Sequence, residues 1–297
     1  MAIVLGNNQY GKSENRLFRV VRDSARHEIH DLNVSIALRG DFADAHVTGD
    51  QSQVLPTDTQ KNTAFAFAEK YGVGEIEDFA RTLARHFVDD VSPVQEARVE
   101  IEEYAWNRID VGGEPHDHSF VRAGDDNRTT VVTAGGKDTW VISGVSDLVL
   151  LKTTGSEFWG FAKDEYTTLE ETQDRILATS LVARWRYTEA DIDWGKTCAD
   201  IRRLLLERFA GTHSYALQQT LYAMGESVLK AHPEVAEIRF SAPNKHHFAY
   251  DVSRFGLDNP GEVFHAADRP YGLIEATVTR DDAPDPGPAW HGTPGFC

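Results

Sequence analysis

The chain has 297 residues, 41% of them hydrophobic and 26% charged, enough for one large domain or two of about 150 residues, each with its own core. Its 30 lysines and arginines stand against 47 aspartates and glutamates; the formal net charge of −17 opposes general nucleic-acid binding and obliges any anionic substrate to be met by locally placed cations. No run approaches the roughly 18 to 20 apolar residues of a membrane span, and two cysteines, Cys198 and Cys297, support neither a disulfide framework nor a thiolate metal centre.

The N-terminal stretch MAIVLGNNQYGK lacks the layout of a signal peptide, so a cytoplasmic setting is expected. Residues 16–42 read as a long hairpin, with Val34, Ile36 and Leu38 alternating against Ser35, Ala37 and Arg39 at the period of a half-buried strand. The spacing of Ile76, Phe79, Ala80, Leu83 and Phe87 predicts a helix over 74–88 with one apolar stripe. Glu75, Glu77 and Asp78 in its first turn complement the positive end of the helix dipole. After Pro93, ARVEIEEYAWNRI alternates as one strand.

The second half repeats that order. Residues 139–152 and 179–188 read as strands, and 192–209 as a helix buried along Ile201, Leu204, Leu205 and Phe209. A helix from Ser214 to Ala231 turns Leu217, Leu221, Met224 and Val228 inward, and Pro233 and a strand follow. Helix, proline and strand therefore recur about 140 residues apart. The pattern predicts two copies of an α+β unit, an antiparallel sheet covered on one side by helices. The expected division is 1–136, 137–280 and a Pro/Gly-rich tail over 281–297.

Common cofactor signatures fail. Gly72-Val73-Gly74 has Glu77 where a dinucleotide fingerprint needs glycine, and Gly136-Lys137 has Val131 where a phosphate loop needs one. His27 and His30 are three apart, the wrong spacing for a helical zinc pair, and His116-Asp117-His118 reads as a solvated loop in preference to a metal clamp. Three polar or aromatic segments remain. In LPTDTQKNT (55–63), Asp58 reads as a helix cap; in FWGFAKDEYTTLEETQDR (158–175), three aromatics in four positions read as core. In PNKHHF (243–248), strand alternation sets Asn244 and His246 on one face and Lys245 and His247 on the other, and each histidine by itself reads as a surface residue.

Taken together, in this order and at these separations, the three segments resemble the urate oxidase (uricase) family across nearly the whole chain. The resemblance implies two tandem T-fold (tunnelling-fold) units per chain and a homotetramer around a tunnel, with active sites shared between subunits. It implies oxidation of urate by dioxygen to 5-hydroxyisourate with release of hydrogen peroxide, without metal or cofactor. By motif, Phe158 would stack on the purine, Arg175 would form paired hydrogen bonds to it, and Gln218 in ALQQTLY would read the opposite edge. Leu217, where the family more often has valine, would contribute a backbone contact, and Asn244 would face the dioxygen site. Lys12 in QYGKSENR, Thr57 and His246 match the family's proton relay, with Lys12, Thr57 and the substrate-positioning Asp58 supplied by a neighbouring subunit. A rival T-fold reading, zinc-dependent pterin chemistry, requires clustered His or Cys ligands, for which His116 and His118 are the candidates. The chain carries no Ser-Lys-Leu peroxisomal address, and a bacterial cytoplasmic setting is the expectation.

Overall fold

A computed structural model describes residues 1–189 and 191–293, with the backbone alone at Asp268; Cys297 lies outside the described residues. The chain divides into two units, one of Met1–Gly144 with Glu189–Gly195 and Asp285–Gly292, the other chiefly of Val145–Thr188 and Lys196–Pro284.

In the first unit the expected hairpin is present and begins earlier, as β1 (Tyr10–Val21) antiparallel to β2 (Glu28–Gly40). The alternation of β2 buries Leu32, Val34, Ile36 and Leu38 on one face at 2% exposure or less. Three helices follow: α1 (Ala43–Val47), α2 (Thr57–Tyr71) and α3 (Ile76–Asp90). The predicted stripe of α3 is wholly buried, and the helix lies against β3 (Val94–Glu103) and β6 (Asn127–Gly135). In β3, Ala97, Val99 and Ile101 face Leu38, Ile36 and Val34 of β2, so apolar side chains meet across the ladder.

ARVEIEEYAWNRI is two strands, contrary to expectation. The register with β2 ends at Leu32 opposite Glu103; Trp106 then opens β4 (Trp106–Val111), which pairs with β5 (Glu114–Arg122) in a separate two-stranded sheet. Tyr104, at the break, is held between the guanidinium groups of Arg16 and Arg122, each 4.3 Å from its ring centroid. Gly112 and Gly113 turn the hairpin with φ of +66° and +90°, values that glycine adopts without strain. His116 and His118 consequently sit on β5, not in a loop.

Strand β7 (Asp138–Lys152) is divided between the units at Gly144 and Val145. In the second unit β8 (Leu177–Tyr187) pairs with β9 (Val235–Ala249) after the helices α4 (Trp194–Gly211) and α5 (Leu217–Ala231). Strand β9 also pairs with β10 (Phe264–Thr279), a strand whose internal Pro270 and Gly272 hid it from periodicity. A register shift between Ala267 and Gly272 absorbs those breakers. Leu217, Leu221, Met224 and Val228 of α5 are buried as expected, and the helix lies on β9 and β10, where Ile238, Phe240 and Ala242 are fully enclosed.

The segment read as a tail contributes to a core: Ala289, 1% exposed, joins Val131 and Ile142, with Trp140 and Trp290 against them. Among the described residues, no helix is long and apolar enough to cross a membrane.

Candidate active site

The candidate residues fall into two groups, one in each unit. In the first unit Lys12 lies on β1 at a bulge, where the register with β2 jumps between Lys12 and Asn15. Glu14 takes the left-handed φ of 56° that the extra residue demands, and its N–H donates to Ser35 Oγ at 2.9 Å. Asn15, a polar residue at a buried position of the strand, donates through Nδ2 to the Lys12 carbonyl at 3.3 Å and the Val34 carbonyl at 2.9 Å. Gly11 has no room for a side chain, because a Cβ would lie 1.8 Å from the Ile36 carbonyl oxygen. These features fix where the Lys12 stem leaves the strand.

Thr57 and Asp58 open α2. Tyr10, two residues before Lys12, donates its hydroxyl to the Leu55 carbonyl at 3.1 Å, and Gln60 Nε2 donates to the same oxygen at 3.3 Å. The turn before α2 is thereby tied to the strand carrying Lys12. Asp58 is not the helix cap: Pro56 holds that position, and the carboxylate instead accepts from Lys61 Nζ at 2.5 Å and Asn62 Nδ2 at 3.0 Å. Those bonds, the Lys61 charge and the Lys12 charge hold the Asp58 carboxyl below its usual range.

In the second unit Phe158 and Arg175 are brought together. Phe158 and Thr172 exchange two main-chain hydrogen bonds of 2.8 and 2.9 Å, and the Arg175 N–H donates to the Ser156 carbonyl at 2.8 Å. The guanidinium carbon then lies 4.9 Å from the Phe158 ring centroid. Asp174 braces the loop by accepting from Thr154 Oγ1 at 2.9 Å and from the Gly155 N–H at 3.1 Å. The aromatic run is not core: Phe158 and Phe161 are half-buried and stacked 4.9 Å apart, while Trp159 is exposed. Arg175 Nε is buried without a hydrogen-bond partner among the described residues.

His246 is half-buried on β9, not a surface residue, and alternation from the buried Ile238, Phe240 and Ala242 keeps it and Asn244 on one face. Burial, then the charge of Arg175 and that of His247, hold its imidazole below the ordinary range. Asn244 stands in register with Thr179 of β8 and Gly272 of β10. Leu217 and Gln218 are the first two residues of α5; Leu217 is buried and Gln218 exposed. A main-chain N–H in a first helical turn has no carbonyl four residues back to serve it, so Leu217 has a backbone donor to offer.

Sequence reasoning missed Tyr10 and Asn15. The signal for Asn15 was present, as an amide at an inward position two residues before Leu17. His116 and His118 stack edge to face at 4.5 Å, and among the described residues no group of three or more His, Cys, Asp or Glu gathers as a metal-ion ligand set.

Two tandem T-fold units in one chain define a protein of the tunnelling-fold class, and the relatives it matches are oxidoreductases. The uricase family model matches residues 8–133 and 141–275. The uricase of Arthrobacter globiformis is 51% identical over 295 residues, covering 99% of this chain and 96% of that protein. Its crystal structure superposes with a TM-score of 0.93 over 98% of this chain and 99% of that one. The uricase of Dictyostelium discoideum is 36% identical over 277 residues, 92% of this chain and 96% of that protein. A Bacillus fastidious uricase structure has a TM-score of 0.81 at 26% identity, covering 94% of this chain and 95% of that one. The chain belongs to the uricase family, whose reaction is the oxidation of urate as a step in its degradation.

Proposed function

We propose that this chain oxidises urate with dioxygen and water to 5-hydroxyisourate and hydrogen peroxide, in a pocket that two subunits of a homotetramer build together. The observation that carries the reading is the Arg175 guanidinium, with a buried unpartnered Nε, set 4.9 Å from the half-buried ring of Phe158. A flat anion stacked on that ring receives a rigid donor fork in its own plane, and it supplies the missing acceptor. On a chain of net charge −17, Arg175 and Lys12 are the local cations that make such a site hospitable to an anion.

The opposite edge of urate carries both N–H and C=O groups, which suits the amide of Gln218 and the backbone donor of Leu217. Asp58 positions the substrate from the neighbouring subunit. The protein's main chemical task is moving protons. Lys12, Thr57 and His246 form the relay that removes a proton from urate; the electron-rich dianion then reduces dioxygen directly. A hydroperoxide forms at C5 above the ring, where Asn244 faces the oxygen. Water replaces the peroxide group, and the relay returns a proton to it, so that urate, O2 and H2O become 5-hydroxyisourate and H2O2. The lowered pKa of His246 keeps it neutral at neutral pH and able to accept a proton. Lys12 and Thr57 reach the relay from the partner, so an isolated chain is expected to be inactive.

The test is to follow the urate absorbance band and peroxide with chelator-treated protein in air. Loss of the band with matching peroxide is expected. An unchanged spectrum, or activity that returns only on adding a metal ion, would overturn the reading.

A further inference from the structure

Phe158 lies on a loop, and a stacking wall on a loop is useful only if something outside it fixes the ring. The flanking residues do this. Glu157 Oε1 lies 2.6 Å from His213 Nε2, and Glu157 Oε2 accepts from Trp159 Nε1 at 2.5 Å. In extended backbone, residues 157 and 159 point to the side opposite 158, so the second bond stiffens the back of the Phe158 position. The first bond reaches the turn between α4 and α5. There the Glu157 N–H donates to the Ser214 carbonyl at 2.7 Å, and the Ser214 N–H donates to the Gly155 carbonyl at 2.9 Å.

That turn leads directly into α5. Ser214 Oγ accepts from Thr220 Oγ1 at 2.8 Å and donates to the Ala216 carbonyl at 3.0 Å, while the Tyr215 N–H donates to Gln219 Oε1 at 2.9 Å. Ser214 and Thr220 are fully buried. The chain from Phe158 to the first turn of α5 is therefore a continuous set of short hydrogen bonds. The Glu157 carboxyl is held below its usual range by the His213 and Trp159 bonds, which keeps the acceptor charged.

We propose that Glu157 and His213 are positioning residues that hold the Phe158 ring in register with Gln218 and so set the affinity for the flat substrate. The inference rests on the proposed stacking of urate on Phe158. Neither residue touches the reacting atoms, so the pair acts on substrate placement rather than on proton transfer.

The experiment measures kcat and KM for urate, and anaerobic urate binding by equilibrium dialysis, in Glu157→Ala, Glu157→Gln, His213→Ala, the double alanine variant and Phe158→Ala. Glu157→Ala and His213→Ala should each raise KM and the dissociation constant about tenfold, with kcat within about twofold. Glu157→Gln keeps one acceptor oxygen in place of two and should fall between the parent and Glu157→Ala, while the double variant should match Glu157→Ala, because the His213 contact is already lost there. Should Glu157→Ala not fold, His213→Ala reads the same bond. Unchanged KM in His213→Ala, or additive losses in the double variant, would overturn the proposal. If Phe158→Ala alone raises KM, only the positioning role falls; if Phe158→Ala also leaves KM unchanged, the stacking role of Phe158 falls with it.

Discussion

Arg175 and Lys12 carry the two cations of the candidate site, and their surroundings assign them different work. Arg175 has an unpartnered buried donor, whereas Lys12 is aimed by a bulge and touches the field of Asp58. Arg175→Ala should therefore raise KM for urate by about 10²-fold or more, because the substrate edge loses a charge-assisted pair. Lys12→Met should lower kcat by a similar factor with KM nearly unchanged. Steady-state kinetics separates the two, and the reverse pattern would exchange their roles. His246 yields a pH prediction. Its imidazole is depressed by burial, by Arg175 and by His247, so the neutral base persists below pH 6.5 and the acidic limb of kcat/KM lies below that value. Arg175→Gln removes a positive neighbour, so the limb should move to higher pH; a limb that stays in place would remove Arg175 from the charges that tune His246. Alternation along PNKHHF placed Asn244 and His246 on one face. The aromatic run around Phe158 misled, because composition records that rings are present and not whether a loop lifts them out of the core.

At the scale of elements, α3 shows how a pattern read correctly can have a different cause. Its acidic first turn suits the helix dipole, yet Glu77 is fully buried, accepts from Ser143 Oγ at 2.5 Å and pairs with Arg128 of β6 at 2.6 Å. Glu75 shares the same guanidinium at 2.6 Å, and Asp78 accepts from Trp194 Nε1 at 3.0 Å. Burial raises the Glu77 carboxyl above its usual pKa, against the pull of Arg128 and Ser143. A carboxyl raised on folding binds its proton more tightly in the native state, so its favourable contribution is present at acidic pH and is lost as pH rises through the raised value. Arg128→Met removes the opposing charge and should cost about 3 to 5 kcal/mol at neutral pH, with a smaller loss as the solution is acidified. Urea unfolding at several pH values checks this; a loss independent of pH would mean that Glu77 is not the group left uncompensated. The separate hairpin β4–β5 was legible in principle from Gly112-Gly113, but the strand period runs through Tyr104 without a break, whereas the ladder of β3 with β2 ends at Leu32 opposite Glu103 and Trp106 pairs elsewhere.

At the scale of the whole molecule, each chain holds the expected site residues in two groups. Lys12, Thr57 and Asp58 belong to Met1–Gly144, whereas Phe158, Arg175, Leu217, Gln218, Asn244 and His246 belong to the second unit. If a complete pocket takes one group from each of two subunits, Lys12→Met and Arg175→Ala chains are each defective, yet a mixed assembly contains some pockets free of both substitutions. Co-expression of the two variants should restore urate oxidation that neither shows alone, and light scattering should report a multimer. Absence of complementation in a verified mixed multimer would place the whole pocket in one subunit.

Periodicity and composition by themselves determined the apolar faces of β2, α3 and α5, the shared face of Asn244 and His246 on β9, the recurrence of the unit, and the need for local cations on an acidic chain, because each depends on residues close in sequence. Tertiary structure decided the bulge that aims Lys12, the burial of Glu77 against Arg128, the approach of Arg175 to Phe158 and the hydrogen bonds joining Glu157 to the head of α5. Lys12 is aimed through contacts with β2, and the other contacts bring together residues 17 to 57 positions apart; charge, burial and orientation at such places are set by what folding carries alongside them.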